Sequence, residues 1–124
     1  ARILLAEDHP VNQMLCVELI DMAGLKTDVA SDGQQAVDMA MSRPYDLILM
    51  DVQMPQMDGL RATALIRQGG PNQRTPILAM SASVLTQERD ACVNAGMDGH
   101  LGKPIDPQAL YETLLEWLTA NVPA

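Results

Sequence analysis

Phenylalanine is absent from this chain, and its only aromatic residues are two tyrosines and one tryptophan. So few flat rings argue against a flavin site, which stacks its ring on aromatics and also wants a Ser/Thr/Gly-rich phosphate loop after the first strand. Basic residues are scarce as well: eight Lys and Arg stand against 16 Asp and Glu, a formal net charge of −8. That balance argues against nucleic-acid binding, where backbone phosphates must be neutralised. No apolar run approaches the ~20 residues that cross a bilayer, and no signal peptide is visible. The two cysteines, Cys16 and Cys92, lie far apart in apolar helical patterns. They read as reduced thiols of a cytoplasmic protein, not as a secreted disulfide framework. An initiating Met is also missing, as expected of a fragment excised from a longer protein.

What is present suits one α/β domain, residues 1–124. Apolar residues make up 48% of the chain, enough for a real core. Nine methionines fill the gaps that aromatics usually fill. The acidic surplus fits a domain that holds a cation or meets a basic partner surface.

The stretch Leu47-Ile48-Leu49-Met50-Asp51 organises the rest. A short, continuous apolar run reads as a strand buried on both faces, here from Asp46 to Met50. Asp51 then stands where strand gives way to loop, as a metal ligand, a base, a nucleophile or a helix cap. Other strands are expected at Arg2–Ala6, Lys26–Ala30, Pro76–Met80 and Gly99–Leu101, the second being polar enough for a sheet edge. Helices alternate with them. The first starts at Pro10, carries Val11, Met14, Leu15, Leu19 and Met22 as its apolar face with Glu18 at the edge, and stops at Gly24. The second opens at Ser31-Asp32-Gly33 and ends before Pro44; the third and fourth cover Leu60–Gln68 and about Thr86–Ala95. Asp106 caps the last, with Pro107 in its first turn and Leu110, Leu114, Leu115 and Leu118 on its buried side. Five alternating strands and helices imply a parallel sheet sandwiched between helices, a flavodoxin-like (βα)5 fold of strand order 2-1-3-4-5.

In such a sheet ligands sit outside the carboxyl ends of the strands. Strand one ends at Glu7-Asp8, strand three at Asp51, strand four at Ser81 and strand five at Lys103-Pro104. Each has a bland reading as cap, turn or surface charge, but all four on neighbouring strands converge on one crevice. Three crowded carboxylates repel and need a compensating charge. A hard divalent cation supplies it, and Mg²⁺ binds through one or two carboxylates together with phosphate oxygens. The implied chemistry is phosphoryl transfer, with metal and lysine neutralising the moving group.

These residues, with Met54-Pro55, Asp58-Gly59 and Ser81-Ala82, resemble the receiver domain of two-component response regulators. Glu7-Asp8-His9-Pro10-Val11-Asn12-Gln13 and the run from Ala95 to Ile105 resemble receivers of hybrid sensor histidine kinases. The resemblance implies that Asp51 accepts a phosphoryl group from a phosphohistidine. The donor would be a histidine kinase dimerisation domain or a histidine phosphotransfer protein. It implies Mg²⁺, or Mn²⁺ in its place, on Asp8, Asp51 and the backbone carbonyl of Gln53, with Glu7 acting through water. Ser81 and Lys103 would hold the phosphoryl group, with a cis Lys103-Pro104 bond aiming the lysine inward. Ala82 would leave room beside Asp51, and Gln53 and Ser83 would flank the hydrolytic water and so set phosphate lifetime. Such a domain catalyses only its own phosphorylation and dephosphorylation.

One position departs from that pattern. Where the family carries Tyr or Phe three residues before the lysine, this chain has His100. Either an imidazole serves as the switch or the surface around strand five is a docking face with little switching. An aspartyl-nucleophile phosphatase of related fold is the rival reading. Against it, Gln53 stands where such an enzyme has a second aspartate, two residues beyond Asp51.

Overall fold

β1 (Arg2–Ala6), β3 (Leu47–Asp51) and β4 (Ile77–Ser81) form the middle of the protein, and from Ile3 onward almost every residue in them is shielded from solvent. They belong to a computed structural model that describes residues 2–52, 54, 57–81, 86–102 and 105–120, with residues 86–89, 119 and 120 described in backbone only. β2 (Lys26–Ala30) and β5 (Gly99–Gly102) flank them, giving a parallel sheet of order β2-β1-β3-β4-β5. The connections are α1 (Pro10–Met22), α2 (Gly33–Ser42), α3 (Gly59–Gln68) and α4 (Thr86–Ala95), and α5 (Pro107–Ala120) closes the chain.

Side chains of a strand alternate between faces, so the sheet carries two cores. Leu4, Ala6, Ile48, Met50, Ile77 and Ala79 pack with Ala36, Ala40, Ala62 and Ile66, under α2 and α3. Ile3, Leu5, Leu49, Leu78 and Met80 pack with Cys16, Ile20, Leu110 and Leu114, under α1 and α5. Strand two takes the expected edge, and both cysteines are buried and outside any disulfide.

The apolar face expected for α1 is wrong. Val11, Met14 and Met22 are 66%, 71% and 80% exposed, and the buried residues are Cys16 and Ile20. Leu15 and Leu19 pack only at the flanks of the core. At 100° per residue, 11, 14, 18 and 22 fall opposite 16 and 20. Apolar residues surround this helix, so spacing alone could not pick the inward side. On α5, Leu110 and Leu114 are buried as expected, but Leu115 is 51% exposed. β3 also runs one residue beyond its expected end, because Asp51 still pairs with Met80 across the ladder.

At the amino ends of the strands two polar side chains tie the loops together. Buried Asn72 donates to the carbonyls of Ala40 and Arg43 and accepts from the Tyr45 backbone and the Thr75 hydroxyl, so all its capacity is used. Arg67, at the end of α3, donates to the carbonyls of Asn72, Gln73, Thr75 and Gly96 and to the Asp98 carboxylate. With that end anchored, the strands present their carboxyl ends in a fixed stagger.

Candidate functional site

Ala6 and Met50 are opposite each other where β1 and β3 pair. The next residues, Glu7 and Asp51, therefore emerge side by side at the carboxyl edge of the sheet. One carboxylate oxygen from each of Glu7, Asp8 and Asp51 lies within 4.8 Å of the others. Glu7 is 1% and Asp51 4% exposed, whereas Asp8 reaches solvent. Two buried carboxylates and one exposed one at this spacing repel and are only partly hydrated. An all-oxygen donor set of this kind suits a hard cation and lacks the thiolate or imidazole that would favour a softer one.

The loop after β3 returns tightly against the site. Asp58 caps α3, its Oδ1 accepting from the Arg61 N–H at 2.9 Å. Gly59 donates to the Val52 carbonyl at 2.9 Å. A Cβ on Gly59 would lie 2.1 Å from the Asp51 carbonyl oxygen, and one on Gly33 would lie 2.0 Å from that of Met57. Both glycines open helices, where their low helix propensity is otherwise a cost. That cost was the available signal of a close backbone approach, and composition alone did not flag it.

Ser81 ends β4 next along the sheet and is 9% exposed. His100 sits in β5 opposite Ala79 and lines a groove of about 330 Å³ with Cys92, Val93, Met97 and Asp98. Lys103, Pro104, Gln53, Ala82 and Ser83 lie outside the described residues. The structure thus brings Glu7, Asp8 and Asp51 together, puts Ser81 on the adjoining strand end, and sets His100 in a groove beside α4.

Two contacts escaped the sequence reading. Asn12 donates from Nδ2 to Glu7 Oε1 at 2.9 Å. The Gln13 side-chain amide donates to the Glu7 backbone carbonyl. Both come from the first turns of α1, whose N-terminal flanking residue His9 makes no side-chain cap.

A family model for the response regulator receiver domain matches residues 3–115. The chain belongs to that family. Receivers similar to it occur within large kinases. It is 37% identical over 115 residues to the signal transduction histidine-protein kinase BarA of Escherichia coli strain K12, covering 93% of this chain and 12% of that protein. It is 36% identical over 119 residues to the sensor histidine kinase GacS of Pseudomonas protegens, covering 94% of this chain and 13% of that one. The chain thus spans about an eighth of the length of these relatives. Among solved structures, the receiver domain of sensor histidine kinase PA1611 from Pseudomonas aeruginosa PAO1 superposes with a TM-score of 0.89 at 39% identity. That match covers 95% of this chain and 97% of that one, which has a magnesium ion coordinated in its active site cleft. The chemotaxis protein CheY4 of Vibrio cholerae matches with a TM-score of 0.90 at 28% identity, over 95% and 98% of the two chains. The receiver assignment does not favour the aspartyl-nucleophile phosphatase. No helix among the described residues is long and apolar enough to cross a membrane.

Proposed function

We propose that this receiver takes a phosphoryl group from a partner phosphohistidine onto Asp51 and passes the signal on through a change at its surface. The observation that carries the reading is the convergence of the Glu7, Asp8 and Asp51 carboxylates within 4.8 Å. Asp51 is the acceptor because it alone of the three ends the central buried strand. Its carboxylate oxygen forms the new bond to phosphorus, in line, as the phosphorus–nitrogen bond breaks and the imidazole keeps the electron pair. The product is an acyl phosphate, later cleaved by water.

Asp8, Asp51 and the Gln53 carbonyl would hold Mg²⁺, with Mn²⁺ able to replace it and Glu7 acting through water. Bound there, the cation neutralises phosphoryl oxygens. Ser81 would donate its hydroxyl to a phosphoryl oxygen, and Lys103 would give a fixed counter-charge. Gln53 and Ser83 would govern water access and so the lifetime of the phosphate. Ser81 movement would free space between β4 and β5, and His100 would answer it on the face made by α4, β5 and α5. The donor is a kinase phosphoacceptor domain or a histidine phosphotransfer protein, and the parent is a hybrid histidine kinase. The domain's own catalysis is confined to its own phosphorylation and dephosphorylation. A cytoplasmic setting suits two buried cysteines, Cys16 and Cys92, that are not joined in a disulfide. The test is to map the modification by mass spectrometry after transfer from a phosphohistidine protein. An alkali-labile acyl phosphate on Asp51 is expected; phosphate on another residue of this chain rejects the assignment.

A further inference from the structure

Glu7 is 1% exposed, and its long side chain has more torsional freedom than the two aspartates beside it. Two contacts fix its backbone and a third restrains the carboxylate itself. Its backbone N–H donates to the Ala30 carbonyl at 3.0 Å, which fixes the main chain of Glu7, though not its side chain, to β2. Its carbonyl accepts from the Gln13 side-chain amide, which also reaches Ser31 Oγ at 3.3 Å. Its Oε1 accepts from Asn12 Nδ2 at 2.9 Å. An ionised carboxylate can only accept, so the Asn12 amide must present its nitrogen here. Asn12 is partly buried in the first turn of α1, on a helix otherwise held by the sheet through Cys16 and Ile20.

We infer that Asn12 is a positioning residue for cation binding: it locks the Glu7 carboxylate in the orientation that the Glu7, Asp8 and Asp51 cluster needs. The inference rests on the proposed cation site. The residue type fits the task. An aspartate at position 12 would offer no donor and would add a fourth negative charge to the cluster. An aliphatic side chain would leave Oε1 without this donor. The amide supplies a donor with no formal charge, so it orients Glu7 while leaving the cluster's charge for the cation. Groups that hydrogen-bond metal-ligating side chains typically contribute 10–100-fold to affinity, and because Glu7 acts through water the low end of that range, about tenfold, is expected of Asn12.

The experiment is a Mg²⁺ titration followed by calorimetry and by the backbone amide shifts of Glu7, Asp8 and Asp51. It compares the parent, Asn12→Ala, Asn12→Leu, Glu7→Gln and the Asn12→Ala/Glu7→Gln pair. The same amide spectra report whether each variant is folded. Alanine suits a helix and leucine keeps the branched shape without the amide, so the two substitutions fail to fold for different reasons if they fail at all. The expected result is Mg²⁺ affinity about tenfold weaker in both single Asn12 variants, with no further loss when Asn12→Ala is added to Glu7→Gln. Parent-like affinity in the Asn12 variants overturns the inference and leaves the cation site standing. An equal loss on both Glu7 backgrounds also overturns it, because Asn12 would then not act through Glu7. A parent that does not bind Mg²⁺ overturns the cation site itself, and the inference with it.

Discussion

A Cβ on Gly59 would lie 2.1 Å from the carbonyl oxygen of Asp51. Helix α3 therefore begins directly on the backbone of the residue that ends β3. Gly59→Ala must push the two apart, and overpacking of this kind costs about 1–3 kcal/mol, more than alanine's gain of about 1 kcal/mol in helix propensity. Gly69 makes a suitable control, since a Cβ there would meet nothing nearer than Gln73 Nε2 at 4.0 Å. Urea melts should show a lower midpoint for Gly59→Ala and little change for Gly69→Ala. Equal shifts would contradict the close-approach account.

Crowding of the Glu7, Asp8 and Asp51 carboxylates should be visible without any cation. In EDTA, Asp8→Asn should raise stability by on the order of 1 kcal/mol through relief of like-charge repulsion. In millimolar Mg²⁺ the parent should gain by mass action and the variant much less. Identical midpoints for the two proteins in both buffers would mean that the carboxylates do not share a pocket.

Arg67 makes five hydrogen bonds, and its bond to Asp98 Oδ2 is 2.7 Å long. The same Asp98 oxygen accepts from the Ile77 N–H at 2.9 Å, so α3, β4 and the turn before β5 meet at one guanidinium. Arg67→Met should cost about 1–3 kcal/mol, chiefly by stranding the part-buried carbonyls of Asn72, Thr75 and Gly96, since solvent screens the half-exposed Asp98 carboxylate. Arg67→Lys should recover only a minor part, because an ammonium lacks the planar fork. Chemical denaturation of the three proteins checks this, and a lysine variant as stable as the parent would rule out the fork geometry.

Tyr45 links stability to alkaline pH. Burial, then the hydrogen bond to Asp28 Oδ2 at 2.8 Å and the charge of that carboxylate, push the phenol from 10.0 up to about 12. Arg43 and Arg2 oppose the shift. The folded state holds this proton more tightly than the unfolded state does. Its contribution is therefore fully present below about pH 10 and is lost as pH rises toward about 12. Melting temperatures measured across that window should fall less steeply for Tyr45→Phe than for the parent. Parallel curves would show that Tyr45 does not couple to folding.

The carboxylate cluster could be read from the chain because apolar runs that stop at carboxylates are a local pattern. Leu47 to Met50 announces a buried strand, and Asp51 follows it; Arg2 to Ala6 and Glu7-Asp8 repeat the arrangement. Strand order followed from counting alternating elements and from the polarity of Lys26 to Ala30. The inward side of α1 did not follow, because Val11, Met14 and Met22 mimic a core stripe while Cys16 and Ile20 make the contact. Asn72 and Arg67 were invisible for a different reason. Their partners lie up to 32 residues away, so their roles exist only once the chain is folded. Asn12 and Gln13 are close to Glu7 in sequence, yet nothing in their spacing says that a helix turn aims their amides back at the end of β1.

The most direct test of the account is transfer of labelled phosphate from a phosphohistidine protein to the parent and to Asp51→Asn, each in Mg²⁺ and in EDTA. The account predicts rapid labelling of the parent in Mg²⁺, strong slowing in EDTA and none of the alkali-labile label on Asp51→Asn. Labelling of Asp51→Asn to the same extent as the parent, or a rate on the parent that ignores Mg²⁺, would contradict it.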